Sequence, residues 1–574
     1  ANTIHGICDL FADKYKTLYN SVSYDPSDMV GLLNSIERDM RYNGFVPCRI
    51  SMIEVKKAVS ELKRGKTDGQ MTQQSDHLIN GTPLLFEKLA QLFSAMIAHG
   101  FAPESFLLAT LLPIVKNARK STNSSSNYRG ITLSSIMGKI LDRIILKRHQ
   151  ETLSSSDLQY GFKRAHSTLQ CTLVIDEVAK YFLKNDGDMY VMMLDASQAF
   201  DRVNFIKLFN VLIQKGMCPL LCRFLVYSYT KQKIRVKWDD TLSDSFDVTN
   251  GVKQGAVLSP TLFNTYVDGL LQRLKQCGVG CHLGSTYAGS VSYADDLTLI
   301  APSLPALKVM LEIAAQYAQE FDIKFNASKC QLVAWNKGGF IPCGVVFMGE
   351  TVRSTSNAVH LGNPIGVDAD NTRVKKACNE MIGQCNSLCT LFPKAPVHVK
   401  YALFKSYCMP LYGAQLWRLN SSNIECMHVC WRKCLRRLLH LPPRTHSNLL
   451  HVICCDVSFP WQLSLRTIKF VASLYNSENV LLRSCMNMAL SGSCSSLGSN
   501  ILTICNRLRV RIMRSAEDVH SLLQTAHRMA TSDLDEEAAR VGASIRDLLQ
   551  LRDEGVQGWT ASDFEMLLEN LCCD

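Results

Sequence analysis

The sequence predicts an α+β protein in which a mixed strand-and-helix stretch, from about residue 170 to 365, is flanked by helical patterns on both sides. Three observations carry this. The run Met189-Tyr190-Val191-Met192-Met193-Leu194 is apolar, β-prone and ends on a carboxylate, Asp195. The run from Ser290 to Ile300 sets Asp295 and Asp296 between two β-prone segments, as in a hairpin. From residue 374 to about 475 the apolar spacing is predominantly helical.

Along the chain, Ile7, Leu10, Phe11, Tyr15, Leu18 and Tyr19 recur at helical spacing and predict an amphipathic opening helix. A helical segment from Val55 to Leu62 leads into Gly65-Lys66-Thr67-Asp68-Gly69, a glycine-bounded turn and a candidate to touch nucleic acid. Residues 117–127 are polar and read as a mobile basic loop, with order resuming at Tyr128-Arg129-Gly130-Ile131. Ile136, Ile140, Leu141, Ile144 and Ile145 mark a long helix. Phe246-Asp247-Val248 is β-prone and precedes a helix-like run to Leu271. There is no internal repeat.

With 574 residues, 47% hydrophobic and 20% charged, the chain can bury several cores, so two to four globular domains are expected and a disordered chain is excluded. The net charge of +11 is uneven. Residues 531–574 hold eleven acidic residues against three arginines, a net −8, and residues 1–530 therefore carry +19. That surplus suits a polyanionic partner. The acidic tail reads as helical and as a separate small unit. Twenty-three cysteines scattered among helical patterns, with no apolar leader, point to reduced thiols and an intracellular protein rather than a secreted disulfide scaffold. No apolar run approaches the roughly 18–20 residues of a membrane span, so no membrane partner is expected. The chain begins at Ala1 rather than Met, as expected of a processed protein or a segment of a longer one.

Acids at strand ends need a cation. Two aspartates at a hairpin tip beside a strand bearing a third can bind two Mg²⁺ ions roughly 3.5 to 4 Å apart, one activating an attacking 3′ oxygen and the other stabilising the leaving phosphate. Asp-Asp in a turn is common, so Tyr293-Ala294-Asp295-Asp296 weighs most through its company: an acid-ended strand upstream and a glycine-bearing polar segment between.

Leu194-Asp195-Ala196-Ser197-Gln198-Ala199-Phe200-Asp201-Arg202-Val203 resembles the first catalytic motif of reverse transcriptases. Gly251-Val252-Lys253-Gln254-Gly255-Ala256-Val257-Leu258-Ser259-Pro260 resembles the next, and Tyr293 to Asp296 the third. Leu112-Pro113-Ile114-Val115-Lys116, Asn127-Tyr128-Arg129-Gly130-Ile131-Thr132-Leu133 and Gln159-Tyr160-Gly161-Phe162-Lys163-Arg164 are similar to finger motifs of the non-LTR (LINE-type) retrotransposon branch. The likeness continues through Tyr401 to Tyr407 and Leu411-Tyr412-Gly413, and covers about residues 50–460.

The resemblance implies a right-hand polymerase with helical N- and C-terminal extensions: a helical extension at 1–99, fingers at 100–188, palm at 189–365, thumb at 366–475 and a C-terminal helical region with the acidic tail at 476–574. It implies that Asp195, Asp295 and Asp296, with Ala196 beside them, hold Mg²⁺ (Mn²⁺ as the alternative), and that Lys329 stands near the departing pyrophosphate as a general acid. Lys116 and Arg129 fall on the triphosphate. Phe200, five positions after Asp195, lies under the incoming sugar, where a bulky ring clashes with a 2′-hydroxyl and selects deoxynucleotides. Gln254 offers a polar hand, and Gly255 lets backbone approach template base and nucleotide. Tyr293 and the His360-Leu361-Gly362 turn face primer or template, the turn gripping the primer terminus. Arg432, Lys433, Arg436 and Arg437, with Trp431 beside them, suit a thumb helix lying along a phosphate backbone.

These readings imply an RNA-directed DNA polymerase working on template RNA, primer or target DNA and dNTPs, through target-primed synthesis in the nucleus after cytoplasmic ribonucleoprotein assembly. Two departures from the family stand out. No endonuclease constellation is found, so a nuclease, if the protein has one, is expected upstream of Ala1. Cys426, Cys430 and Cys434 recur every four residues, but no Cys-x2-Cys pair exists, so they read as thiols on an apolar helix face and zinc is not expected. The competing readings are a catalytically silent nucleic-acid scaffold and a maturase-like RNA-binding protein. Retention of all three aspartates and Phe200 weighs against the scaffold.

Overall fold

The run 189–194 is buried along nearly its whole length because it is the middle of a sheet. Strand Met189–Leu194 pairs antiparallel with Asp296–Ala301 on one side and with Gln331–Asn336 on the other. The first neighbour continues into the hairpin partner Ser290–Tyr293, and the second runs parallel to Glu350–Thr355. Helices Thr168–Lys184, Ser259–Cys277 and Leu304–Glu320 pack on this seven-stranded sheet. Leu304–Glu320 starts where Ser303 caps the Ala306 amide, and its Leu307, Met310, Leu311, Ala314 and Tyr317 are buried at three- and four-residue spacing. The structure, a computed structural model, describes residues 3–42, 48–69, 73–491, 495–510 and 515–540.

A second sheet crosses the expected domain boundary. Strand Leu108–Val115 pairs antiparallel with Tyr128–Leu133, as neighbouring segments do, but also parallel with Lys233–Trp238, Leu108 opposite Lys233 and Leu111 opposite Val236. The strand at 233–238, expected within 189–365, therefore belongs with strands from 100–188. The opening helix, Ile4–Leu18, lies on the same sheet through Cys8, Phe11 and Tyr15, with Phe11 stacked 5.0 Å from Trp238. Residues 1–99 are thus built into the body rather than set apart from it. Leu10, expected on the packed face, is exposed.

The loop at 117–127 is organised, not free. Asn127 is buried, and its amide donates to the carbonyls of Asn117, Lys120 and Ser121, while Tyr128 Oη donates to Thr122 O at 2.9 Å. One side chain thereby satisfies three loop carbonyls that the polar composition left to solvent.

Helices Ala369–Leu391, Val397–Tyr407, Ser422–Leu438 and Ser447–Ile453 enclose an apolar cluster of their own. Helix Phe459–Tyr475 joins it at Phe459 and Leu463, then turns Trp461, Ile468 and Val471 to the main core. Helices Val480–Ser491 and Ser496–Leu508 pack back against Thr168–Lys184 and the main core, so the expected break at 475/476 is not a boundary of packing. The acidic tail is not a separate unit over 531–540: these residues finish helix Ala516–Arg540, held by Trp461 Nε1 donating to Asp533 at 2.6 Å and by a close contact between His451 and Glu537. Residues 541–574 lie outside the described residues. Arg373, almost fully buried, makes a bidentate pair with Asp176 (2.6 and 2.8 Å) that ties Ala369–Leu391 to Thr168–Lys184.

Glu177, 2% exposed on Thr168–Lys184, accepts from Ser495 Oγ at 2.6 Å, and burial pushes its carboxyl from 4.5 up to about 7. The folded protein then holds a proton that the unfolded chain releases, so stability falls as pH rises from about 4.5 to about 7. Glu177→Gln is expected to match the wild type at pH 4 and to exceed it at pH 8 in urea denaturation. Parallel curves over that range would show that this carboxyl does not carry the dependence.

Candidate active site

Three carboxylates meet where the central strand ends. The register Leu194 opposite Leu297 brings Asp195 beside Asp296, and Asp296 in turn lies opposite Tyr293 across the hairpin. The chain after Asp195 is held: Asn326 N donates to Asp195 O at 2.9 Å, Ser197 N donates to Lys324 O at 2.8 Å, and Ala196 bridges to Phe325. The hairpin turn has Ala294 at φ +59°, a left-handed conformation that a non-glycine residue adopts only where its surroundings enforce it.

Gln159 enforces it. Fully buried, its Oε1 accepts from Ala294 N (2.8 Å) and Gly161 N (2.9 Å), and its Nε2 donates to Ser292 Oγ (3.2 Å) and Ala294 O (3.3 Å). A Cβ on Gly161 would stand 2.3 Å from Ala294 N, so only glycine lets the two turns touch. The 159–161 motif, legible in sequence only as a resemblance, is the support of the turn that carries Asp295 and Asp296.

The aspartates repel one another. Burial, then the charges of Asp295 and Asp195, pushes Asp296 up to about 6. Asp295 is raised by burial and by Asp195, with Arg129 pulling it back. Lys329 Nζ lies 3.4 Å from Asp195 Oδ2. A cleft of about 130 Å³ runs from Asp195, Asp296 and Lys329 to His360 and Leu361. Among the described residues, no group of three or more His, Cys, Asp or Glu side chains is drawn together closely enough to hold a metal ion. An open row of hard oxygen donors is nevertheless the kind of protein contribution that Mg²⁺ takes when substrate phosphates complete its shell.

Beside this row, Phe200 is stacked on Phe263 at 4.4 Å and meets the exposed Phe162 edge-on at 6.0 Å, so its ring is fixed from below. Lys116 and Arg129 come from the antiparallel strand pair and are both exposed. Burial lowers the Lys116 pKa, as do the neighbouring charges of Arg129 and Lys329, so three cations share one space with the acids.

The sequence profile of the family "Reverse transcriptase (RNA-dependent DNA polymerase)" matches residues 116–363, the span that contains every one of these groups. Residues 116–363 match the reverse transcriptase domain. The chain is 24% identical over 451 residues to the RNA-directed DNA polymerase from mobile element jockey of Drosophila melanogaster, covering 76% of this chain and 49% of that protein. It is 26% identical over 242 residues to the Retrovirus-related Pol polyprotein from type-2 retrotransposable element R2DM of the same organism, covering 42% of this chain and 23% of that protein. The chain thus spans about half the length, or less, of these curated relatives. A solved apo telomerase from Candida tropicalis aligns with a TM-score of 0.34 at 13% identity, over 52% of this chain and 62% of that one.

Several expected contacts of the reverse transcriptase domain are otherwise engaged. Gln254 Nε2 donates to both oxygens of Asp201 (2.9 and 2.8 Å), and the approach that Gly255 permits at φ +113° is to Thr132, whose carbonyl oxygen would lie 2.8 Å from a Cβ there. His360 is buried, its pKa lowered to about 4, so it stays neutral at pH 7. The Leu361 and Gly362 carbonyls accept from Tyr412 Oη (3.0 Å) and Lys376 Nζ (2.7 Å), and the close approach at Gly362 is to the Tyr412 ring. Any grip on a strand must therefore come from the outer face of this turn. Tyr293, at the strand end, is half-buried.

The basic cluster splits into two stripes of its helix. Arg432 pairs with Glu425 at 2.6 Å, and Arg436 donates to Thr445 O at 2.7 Å, so both serve the protein. Lys433 and Arg437 are exposed. Trp431, expected beside a phosphate backbone, is buried against Phe459 at 5.4 Å. Cys430 and Cys434 are buried as well: Cys430 Sγ donates to Cys378 O (3.5 Å), and Cys385 Sγ donates to Cys434 O (3.4 Å).

Gln159→Leu fills the same space but removes both acceptor contacts and both donor contacts to the turn. The turn carrying Asp295 and Asp296 should shift, and small misplacements of reacting groups cost up to roughly 10²-fold. Single-nucleotide addition is expected to slow by that order, with primer–template affinity within about twofold. An unchanged rate would show that the turn holds itself.

Proposed function

We propose that this chain is an RNA-directed DNA polymerase that adds dNTPs to a primer 3′-hydroxyl on an RNA template, as in target-primed synthesis of a non-LTR element at nuclear DNA. The observation that carries the reading is the convergence of Asp195, Asp295 and Asp296 at one strand junction, beside Lys329 and the stacked Phe200 ring. In this reading the seven-stranded sheet is the palm, the 108–133 and 233–247 strands with their helices form the fingers, and the 369–453 helices form the thumb.

Asp195, Asp295 and Asp296, with the Ala196 backbone next to them, would hold divalent cations, Mg²⁺ by donor type, which when bound activate the 3′ oxygen and neutralise the leaving phosphate. The chain's own groups do the rest. Lys116 and Arg129 meet the triphosphate and cancel charge that the aspartates alone would repel. Lys329, at the Asp195 carboxylate, is placed to deliver a proton to the departing pyrophosphate. Phe200 cannot retreat from a 2′-hydroxyl because Phe263 lies stacked beneath it. Lys433 and Arg437 suit the phosphates of the template–primer duplex. The nick that supplies the primer is assigned to a separate nuclease activity.

The test is primer extension on a defined RNA template with Mg²⁺. The wild type is expected to extend with dNTPs, and Asp295→Asn or Asp296→Asn to fall by roughly 10²-fold or more. Phe200→Val should raise ribonucleotide use by about tenfold or more relative to dNTPs. Binding of RNA without extension by the wild type would instead support a silent scaffold.

A further inference from the structure

The residue after Phe200, Asp201, is 7% exposed on the short turn Phe200–Arg202, six positions beyond Asp195. Its carboxylate is fully engaged. Tyr19 Oη donates to Oδ1 at 2.9 Å, and Gln254 Nε2 donates to both oxygens. Tyr19 is 1% exposed, and burial together with Asp201's charge pushes its phenol well above its ordinary value, so it remains a donor throughout the working pH range.

The backbone around this contact is knotted to the same helix end. Asn250 Nδ2 donates to Asp201 O (2.7 Å) and Leu18 O (3.1 Å), its Oδ1 accepts from Val22 N (3.1 Å), and Arg202 donates to Ser21 Oγ (2.9 Å). A Cβ at Gly251 would stand 2.6 Å from Asp201 O. The opening helix, the turn bearing Phe200 and the segment bearing Gln254 are therefore joined at one buried carboxylate.

That carboxylate dictates an orientation. It can only accept, so the Gln254 carboxamide must turn its NH₂ inward, which leaves Oε1 as the end free to meet a nucleotide. An unpaired buried carboxylate is costly, so its retention needs donors on both sides, and the opening helix supplies one of them.

We propose that Asp201 and Tyr19 are positioning residues of the nucleotide pocket: Tyr19 braces the Asp201 carboxylate from behind, and Asp201 fixes the Gln254 carboxamide and the adjoining Phe200 turn for the incoming deoxynucleotide. The opening helix is then part of the polymerase pocket rather than an appendage. This rests on the polymerase function proposed above. The charged and titratable groups facing Asp201 are Lys14, Tyr15 and Tyr19 from the opening helix and Lys116 and Arg129 from the strand pair. Burial raises the Asp201 carboxyl to about 6, and the Tyr19 hydrogen bond opposes that rise.

Steady-state single-nucleotide extension of Tyr19→Phe, Asp201→Asn and the double variant, each with its melting temperature, tests this. Loss of a hydrogen bond to a charged group predicts a nucleotide KM raised about tenfold in Asp201→Asn and about threefold or more in Tyr19→Phe, with kcat within about twofold. The double variant should be no worse than Asp201→Asn alone, since both act through one carboxylate. In Tyr19→Phe the acidic limb of kcat/KM should move to higher pH, because Asp201 has lost a donor that held its pKa down. KM within twofold of wild type in both single variants, or a lowered melting temperature with KM unmoved, overturns the inference. A wild type that extends no primer overturns the polymerase reading and this inference with it, and is seen before any variant is compared.

Discussion

Everything in the domain is arranged around a repulsion. The charge of Asp195 disfavours ionisation of Asp295 and Asp296, Asp295 adds to the effect on Asp296, and burial raises both further. A fold can tolerate such a cluster only if the backbone beneath it is over-determined. Here that restraint comes from uncharged groups: the Asn326 amide on Asp195 O, the Gln159 carboxamide on both sides of Ala294, and Gly161 pressed against the turn. Neutral clamps suit this task. A cationic clamp would cancel the charge that the site must offer to a metal or a phosphate, whereas a buried carboxamide fixes position and leaves the field intact.

Two of the three cations come from a different sheet, and the third from the acids' own. Lys116 and Arg129 reach the acids from the strand pair at 108–133, and Lys329 comes from the turn before strand Gln331–Asn336. The second sheet therefore turns cations toward the acids of the first. Their relative position is set largely by the segment 249–255, which bonds to the turn after Asp195 through Asn250 and Gln254 and to the Thr132 amide through the Gln254 carbonyl. Strain or slack in that segment would change the gap between acids and cations without altering any one of them.

What the sequence disclosed was whatever local pattern could encode. The acid-ended strand, the hairpin and the long helices all follow from period and run length, and they stand where those cues put them. Contacts between distant segments left no such trace. The pairing of Leu108–Leu111 with Lys233–Val236 joins strands more than a hundred residues apart, and nothing in either run specifies the other. The polar loop at 117–127 looked solvated because its partner, Asn127, is itself polar. The cluster at 432–437 was legible as charge but not as two faces of one helix, because which face turns inward depends on Thr445 and Phe459.

The same distinction explains why Gln159 and Asp201 escaped notice as individuals while sitting inside motifs that did not. A metal ligand announces itself by residue type, since few side chains can do its work. A positioning residue needs only the right donor or acceptor in the right place, and glutamine, asparagine and tyrosine are unremarked anywhere in a chain. Their roles show only when burial removes the alternative of water: a carboxamide at 0% exposure with four partners, or a phenol at 1% aimed at a carboxylate, must be satisfying a specific geometry, because misalignment there has no solvent to soften it. By that criterion the buried hydrogen-bond network beside the charged row extends to the end of the opening helix at Tyr19, well before residue 116, where the family's sequence profile begins.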